Sequence, residues 1–173
     1  MKQLKTAKIG YILISIAFYI TGLCCIIKPA VMIGDTGKTL GGIILVAYGV
    51  IKMIGYFSKD LYCLAFQYDF ACGLFLIVLG VIDLCIRNYR GVYLMAGLGI
   101  LILLDSLLAI QTSLDARRFG MSAWRWILFF AVLAGIFATV ILISKSTLMV
   151  GLALLAEGAM RHYVVHCTVK IDS

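Results

Sequence analysis

The stretch Ile9-GYILISIAFYITGLCCI-Ile27 runs for nineteen residues without a charge. At a rise of about 1.5 Å per residue, a helix of that length nearly matches the roughly 30 Å hydrocarbon core of a bilayer. Working outward, five more stretches have the same character. Residues 40–57 hold only Lys52, near their end, whereas 66–86 contain Asp69 early and Asp83 late. Residues 91–110 carry Asp105 two thirds of the way along, 126–143 are uncharged, and 147–165 are apolar until Glu157, Arg161 and His162.

The composition agrees. The chain has 173 residues, 64% of them hydrophobic, 13% charged and one a proline, with a mean hydropathy of +1.10. Soluble chains are roughly half apolar and about a quarter charged, so this one has too little polar surface to cover a globule in water. With the six spans set aside, no segment longer than about fifteen residues is left to build a water-soluble catalytic or nucleic-acid-binding domain. Unpaired amides in hydrocarbon cost several kcal/mol each, and nothing in the sequence alternates like the strands of a membrane barrel, so the spans must be helical. The expected fold is an all-α integral membrane protein, one domain over 1–173. Its six transmembrane helices form three hairpins, at about 9–57, 66–110 and 126–165, with the lipid bilayer as the main partner.

Orientation follows from the Lys and Arg count on each side of the spans. Lys2, Lys5, Lys8, Lys52, Lys59, Arg117, Arg118, Arg125, Arg161 and Lys170 fall on the side of the N-terminus, against Lys28, Lys38, Arg87, Arg90 and Lys145 opposite. Ten against five places both termini in the cytoplasm. The first span lacks a small-x-small cleavage site after it and reads as a retained anchor. The net charge of +7 is explained by cytoplasmic loop ends, with attraction to anionic headgroups of about 1 kcal/mol per residue, and needs no nucleic acid.

The links at 87–90 and 144–146 are so short that the spans they join must be antiparallel neighbours. Laid over one another, Gly22, Gly80 and Gly135 match in the first helix of each hairpin, and Gly49, Asp105 and Gly158 in the second. Gly42-IILVAY-Gly49-VI-Lys52 also matches Gly151-LALLAE-Gly158-AM-Arg161, which points to duplication of a two-helix unit of about 55 residues. Glycines seven apart, at Gly42 and Gly49, Gly73 and Gly80, and Gly151 and Gly158, mark packing seams, as does Gly135 four residues after Ala131. Small residues on one stripe let helices approach in lipid, where hydrophobicity cannot drive them together.

Charges inside a membrane cost about 2.5 to 3.5 kcal/mol near a helix centre, so each needs a partner or a purpose. Glu157 with Arg161 and Asp83 with Arg87 stand at i and i+4 with the acid first, the favourable order, and each Arg can also snorkel to the headgroups. Asp115 and Arg118 read as a solvated pair, and Asp69 can lie in the interface. Asp105 differs, because Leu101, Ile102, Leu108 and Ala109 surround it on its own helix and none can neutralise it. Its partner must come from another helix, with Lys52 and Arg161 as candidates, unless it is a protonated acid; the alternative is a neutral or hydrogen-bonded aspartate fixing a helix contact, with Tyr48 or Ser106.

Cys24, Cys25, Cys63, Cys72, Cys85 and Cys167 form no Cys-x-x-Cys pair, so no disulfide framework or zinc site is indicated. His162 and His166 read as a tail pair, and Trp124 and Trp126 as an interfacial belt. No Walker loop, Gly-x-Ser-x-Gly elbow or His-Glu-x-x-His is present, which leaves enzyme as the least supported class and no cofactor or metal expected.

Six short spans in three hairpins, Gly22-LCCIIK-Pro29, and Asp105-SLLAI-Gln111 leading to Leu114-DARRFGMSA-Trp124 together resemble the HdeD-like acid-resistance membrane proteins. The resemblance covers nearly the whole chain and implies a bacterial inner-membrane protein, non-enzymatic, that supports survival of acid or envelope stress. Two other functions stay open. One is a small proton-linked transporter or channel using Asp105. The other is an assembly partner that binds other membrane proteins, or its own copies as a homo-oligomer, through the glycine seams.

Overall fold

The computed structural model describes residues 2–29, 35–57, 69–85 and 91–168. They form six helices: α1 (Lys2–Ile27), α2 (Asp35–Tyr56), α3 (Asp69–Cys85), α4 (Gly91–Arg118), α5 (Trp124–Ser144) and α6 (Thr147–Thr168), with no strand among the described residues. Five are long and apolar enough to cross a membrane, over Lys8–Ile27, Thr39–Tyr56, Met95–Arg118, Trp124–Ser144 and Thr147–His166. The exception is α3, with 17 described residues, or about 25 Å of helix. Both edges of the expected third span, 66–68 and 86, lie outside the described residues.

α4 continues past the expected limit at Ile110 because Ala109, Thr112, Ser113 and Ala116 carry its buried stripe onward. It ends where Gly120 turns left-handed at φ 72°. There the Gly120 and Met121 amides donate to the Arg117 and Ala116 carbonyls at 3.0 Å each, satisfying the orphan carbonyls of the last turn. The Ser113 hydroxyl donates to the Trp124 carbonyl at 2.9 Å, tying α4 to the start of α5. At the far end of α5, Lys145 is left-handed at φ 50° and donates its amide to the Ile141 carbonyl at 2.8 Å. α6 begins two residues later, so α5 and α6 are antiparallel.

The helices are more apolar outside than inside. On α1 the exposed side chains are Ile9, Leu13, Ile16, Ile20, Leu23 and Ile27, whereas Tyr11, Ser15, Phe18 and Cys25 face inward. That polarity suits lipid around the bundle and is the reverse of a soluble helix.

The helices pack in a ring. Contacts are most extensive between α2 and α3, α1 and α6, and α4 and α5, followed by α5 and α6; α1 meets α2 along a narrower strip, and α4 meets α3 and α6 briefly. Glycines set the three closest seams. A Cβ on Gly49 would stand 2.6 Å from the Gly73 carbonyl oxygen, and one on Gly80 would stand 2.8 Å from that of Gly42. A Cβ on Gly22 would lie 2.8 Å from the Gly151 carbonyl oxygen, and one on Gly158 would lie 3.2 Å from that of Ser15. Both seams are therefore antiparallel. In the third, a Cβ on Gly135 would meet the Ser106 hydroxyl at 3.0 Å.

These contacts correct the register expected from the sequence. Gly22 and Gly80 do hold equivalent levels, facing Gly151 and Gly42. Gly135 instead faces Ser106, as Gly73 faces Gly49 and Ser15 faces Gly158. The residue of α4 at the glycine level is thus Ser106, and Asp105 lies one step before it, level with Tyr48 and Glu157. The physical reason is that a seam position must be small, while its preceding neighbour is turned toward the middle of the bundle.

Candidate functional site

Three helices bring a polar residue to the step before a small seam residue: Tyr48 before Gly49, Asp105 before Ser106, and Glu157 before Gly158. One turn further along, α2 adds Lys52 and α6 adds Arg161. From the facing helices, four residues before Ser15 and Gly73, come Tyr11 and Asp69. All seven side chains are buried, with exposures of 0% for Lys52, 2% for Glu157, 3% for Asp69, 6% for Arg161 and 7% for Asp105.

Their contacts form one closed network. Lys52 Nζ donates to Asp69 Oδ1 at 2.7 Å and to Asp105 Oδ1 at 2.9 Å. The Tyr48 hydroxyl donates to Asp105 Oδ2 at 3.0 Å, the Tyr11 hydroxyl donates to Asp69 Oδ2, and Arg161 Nη2 pairs with Asp105 Oδ2. Arg161 Nε donates to Glu157 Oε1 at 3.1 Å, and its Nη1 lies 4.0 Å from Asp69 Oδ1. Rings pack around the network, with Phe18 edge-on to Tyr48 at 5.0 Å and the Lys52 ammonium 5.2 Å from the Tyr48 ring centre. Buried charges survive only when paired and hydrogen-bonded, and this network pairs them across five helices.

Asp105 gains Lys52, Arg161 and Tyr48 together, whereas the Ser106 hydroxyl donates to the Leu103 carbonyl at 2.8 Å. The Glu157–Arg161 pair forms, but Arg161 does not snorkel, because two carboxylates within the bundle hold its guanidinium. Asp69 is as enclosed within the bundle as Asp105. Asp83 is also buried, and the Arg87 expected beside it lies outside the described residues. The glycine stripes of Gly42, Gly49, Gly73, Gly80, Gly151 and Gly158 pack inside this chain. Tyr11 was not singled out from the sequence, and only its place four residues before a small seam residue could have drawn notice.

Elsewhere, Arg118 and Asp115 lie 3.6 Å apart with the arginine exposed. Arg117 and Arg125 stand 5.0 and 5.8 Å from the Trp124 ring centre, cation–π contacts that suit an interfacial tryptophan. His162 and His166 stack at 6.2 Å on the exposed face of α6. Among the described residues no three His, Cys, Asp or Glu side chains gather as a metal would require.

Beside the charge network lies a cavity of about 30 Å³, walled by Phe18, Leu76, Leu101 and Ile102 and edged by Tyr48, Asp105 and Glu157. Its wall is mainly hydrocarbon. Chemically, the arrangement sets three carboxyl groups against two cations, among the described residues, in a medium where charge must balance. No family model, curated protein or solved structure matches the chain.

Proposed function

We propose that this chain is a non-enzymatic, multi-pass protein of the bacterial inner membrane that supports survival of acid or envelope stress, as the HdeD-like proteins it resembles do. In this proposal its six helices form three related hairpins, both termini are cytoplasmic, and protons act at the buried charge network. The carrying observation is the charge count: among the described residues, Asp69, Asp105 and Glu157 enclose only Lys52 and Arg161. A network one positive charge short in low dielectric is a place for a proton, and intramembrane carboxylates are enriched where protons are handled.

The test is survival of an acid challenge by cells lacking the gene, complemented with wild type or Asp105→Asn at equal membrane abundance. Rescue by wild type alone is expected, because the amide cannot balance two cations. Equal rescue by both would remove Asp105 from the function, and rescue by neither would remove the stress role. A second reading, a proton-linked transporter or channel, is favoured by the cavity that borders Asp105 and Glu157. Proton flux into liposomes carrying the purified protein separates the two.

A further inference from the structure

The network leaves one atom unexplained. Glu157 Oε2 is fully buried and finds no hydrogen-bond partner among the described residues that is a fixed donor. A buried carboxylate oxygen left without a donor costs the full desolvation of a charged group. The other Glu157 oxygen accepts from Arg161, whose guanidinium also holds the Asp105 carboxyl of α4, so one cation and one cavity wall bring the two carboxyls together. Two acceptors cannot bond to each other, and two adjacent buried carboxylates cannot both stay ionised. One proton between them resolves the missing donor, the carboxyl–carboxylate contact and the charge imbalance together.

We infer that Glu157 is the proton-binding residue of the network, held as a carboxylic acid that donates to the Asp105 carboxylate across the contact between α4 and α6. This rests on the reading that protons act at the buried charges, and it names the atom group that takes them. Asp105 is the poorer site for the proton because Lys52, Arg161 and Tyr48 all donate to it. Asp69 likewise accepts from Lys52 and Tyr11. Around Glu157 stand Arg161 on its own helix, Asp105 on α4, Tyr48 on α2 and Cys72 on α3, which share its cavity, and Tyr19 of α1, packed on the adjoining Gly158; Lys52 of α2, with Asp69 and Tyr11 beyond it, joins through Asp105. The buried face of α5 is Ile127, Ala131, Ala134, Ala138 and Ile141 and offers no charge.

With the proton in place, two carboxylates balance two cations. Loss of the proton to solvent leaves the network with one net negative charge and sets two anions against each other where α4 crosses α6. Acid therefore favours the joined state of these helices, and alkali strains it.

Glu157 is the chain's only glutamate, so the test needs no mutation. Wild-type protein in lipid nanodiscs is labelled with ¹³C at the glutamate side-chain carboxyl and titrated by infrared spectroscopy in light and heavy water. At neutral pH the expected result is a carboxylic-acid carbonyl band that shifts on ¹³C labelling and shifts again in heavy water. That band is then lost at alkaline pH. A labelled carbon that reads as carboxylate at neutral pH, with or without added sodium, overturns the inference, as does a carboxylic-acid band indifferent to the label. Acid survival is read separately in cells, so a protonated Glu157 without a survival defect would fail the stress reading and leave this assignment standing.

Discussion

Lys52 is the residue on which the network's balance turns, because its ammonium is shared by two aspartates from different helices. Removing one partner of a buried ion pair costs about 3 to 5 kcal/mol, since the charge left behind stays desolvated. Lys52→Met should therefore lower the thermal unfolding temperature in detergent strongly, with three carboxyls left against Arg161 alone. Adding Asp69→Asn restores the count and keeps an acceptor for the Tyr11 hydroxyl, so the double variant should be more stable than Lys52→Met by itself. Simple addition of the two costs would show that the pairs do not share one charge balance. At this scale the sequence was partly legible. Asp105 stood out because its helical neighbours are all apolar, and Glu157 with Arg161 because their spacing is local. Tyr11 and Asp69 meet across 58 residues of chain, and no periodicity carries that information.

Helix pairing depends on backbones that approach more closely than a side chain allows. Gly49→Ala would set a methyl 2.6 Å from the Gly73 carbonyl oxygen, on a partner that is backbone and cannot rotate away. Overpacking of this kind typically costs about 1 to 3 kcal/mol. Gly41→Ala, on the same helix, would meet nothing nearer than 3.9 Å. The expected outcome is a clear loss of unfolding temperature and membrane abundance for Gly49→Ala and near wild-type behaviour for Gly41→Ala. Equal behaviour of the two would mean that α2 and α3 do not depend on close approach. The seven-residue glycine spacing made these stripes visible in the sequence, but not which stripes would meet. Closure of α1 against α6 depends on where the ring's two ends arrive, a property of the whole path of the chain. The register slip at Gly135 had a local cause, since Ser106 serves as a small residue where the other seams have glycine.

At the scale of the whole molecule, α3 decides the topology. Five helices pass on length and composition, and five crossings would leave the termini on opposite sides, whereas six leave them together. α3 lies against α2 through both Gly49 with Gly73 and Gly42 with Gly80, two contacts about 10 Å apart along the helix. A helix matched to its antiparallel partner over that depth is expected to share the partner's crossing. The two acids of α3, Asp69 and Asp83, are buried inward, and the helix differs from the other five in its 17 described residues, not in apolar character. Fluorescent protein fused in turn to each terminus should therefore glow in both cases. Alkaline phosphatase inserted between Lys145 and Ser146 should be active, because in the proposed orientation the side richer in Lys and Arg is the cytoplasmic one. A fluorescent N-terminus with a dark C-terminus would mean that α3 does not cross, and the ring of six would then have to be redrawn as five spans with one helix lying at the membrane surface.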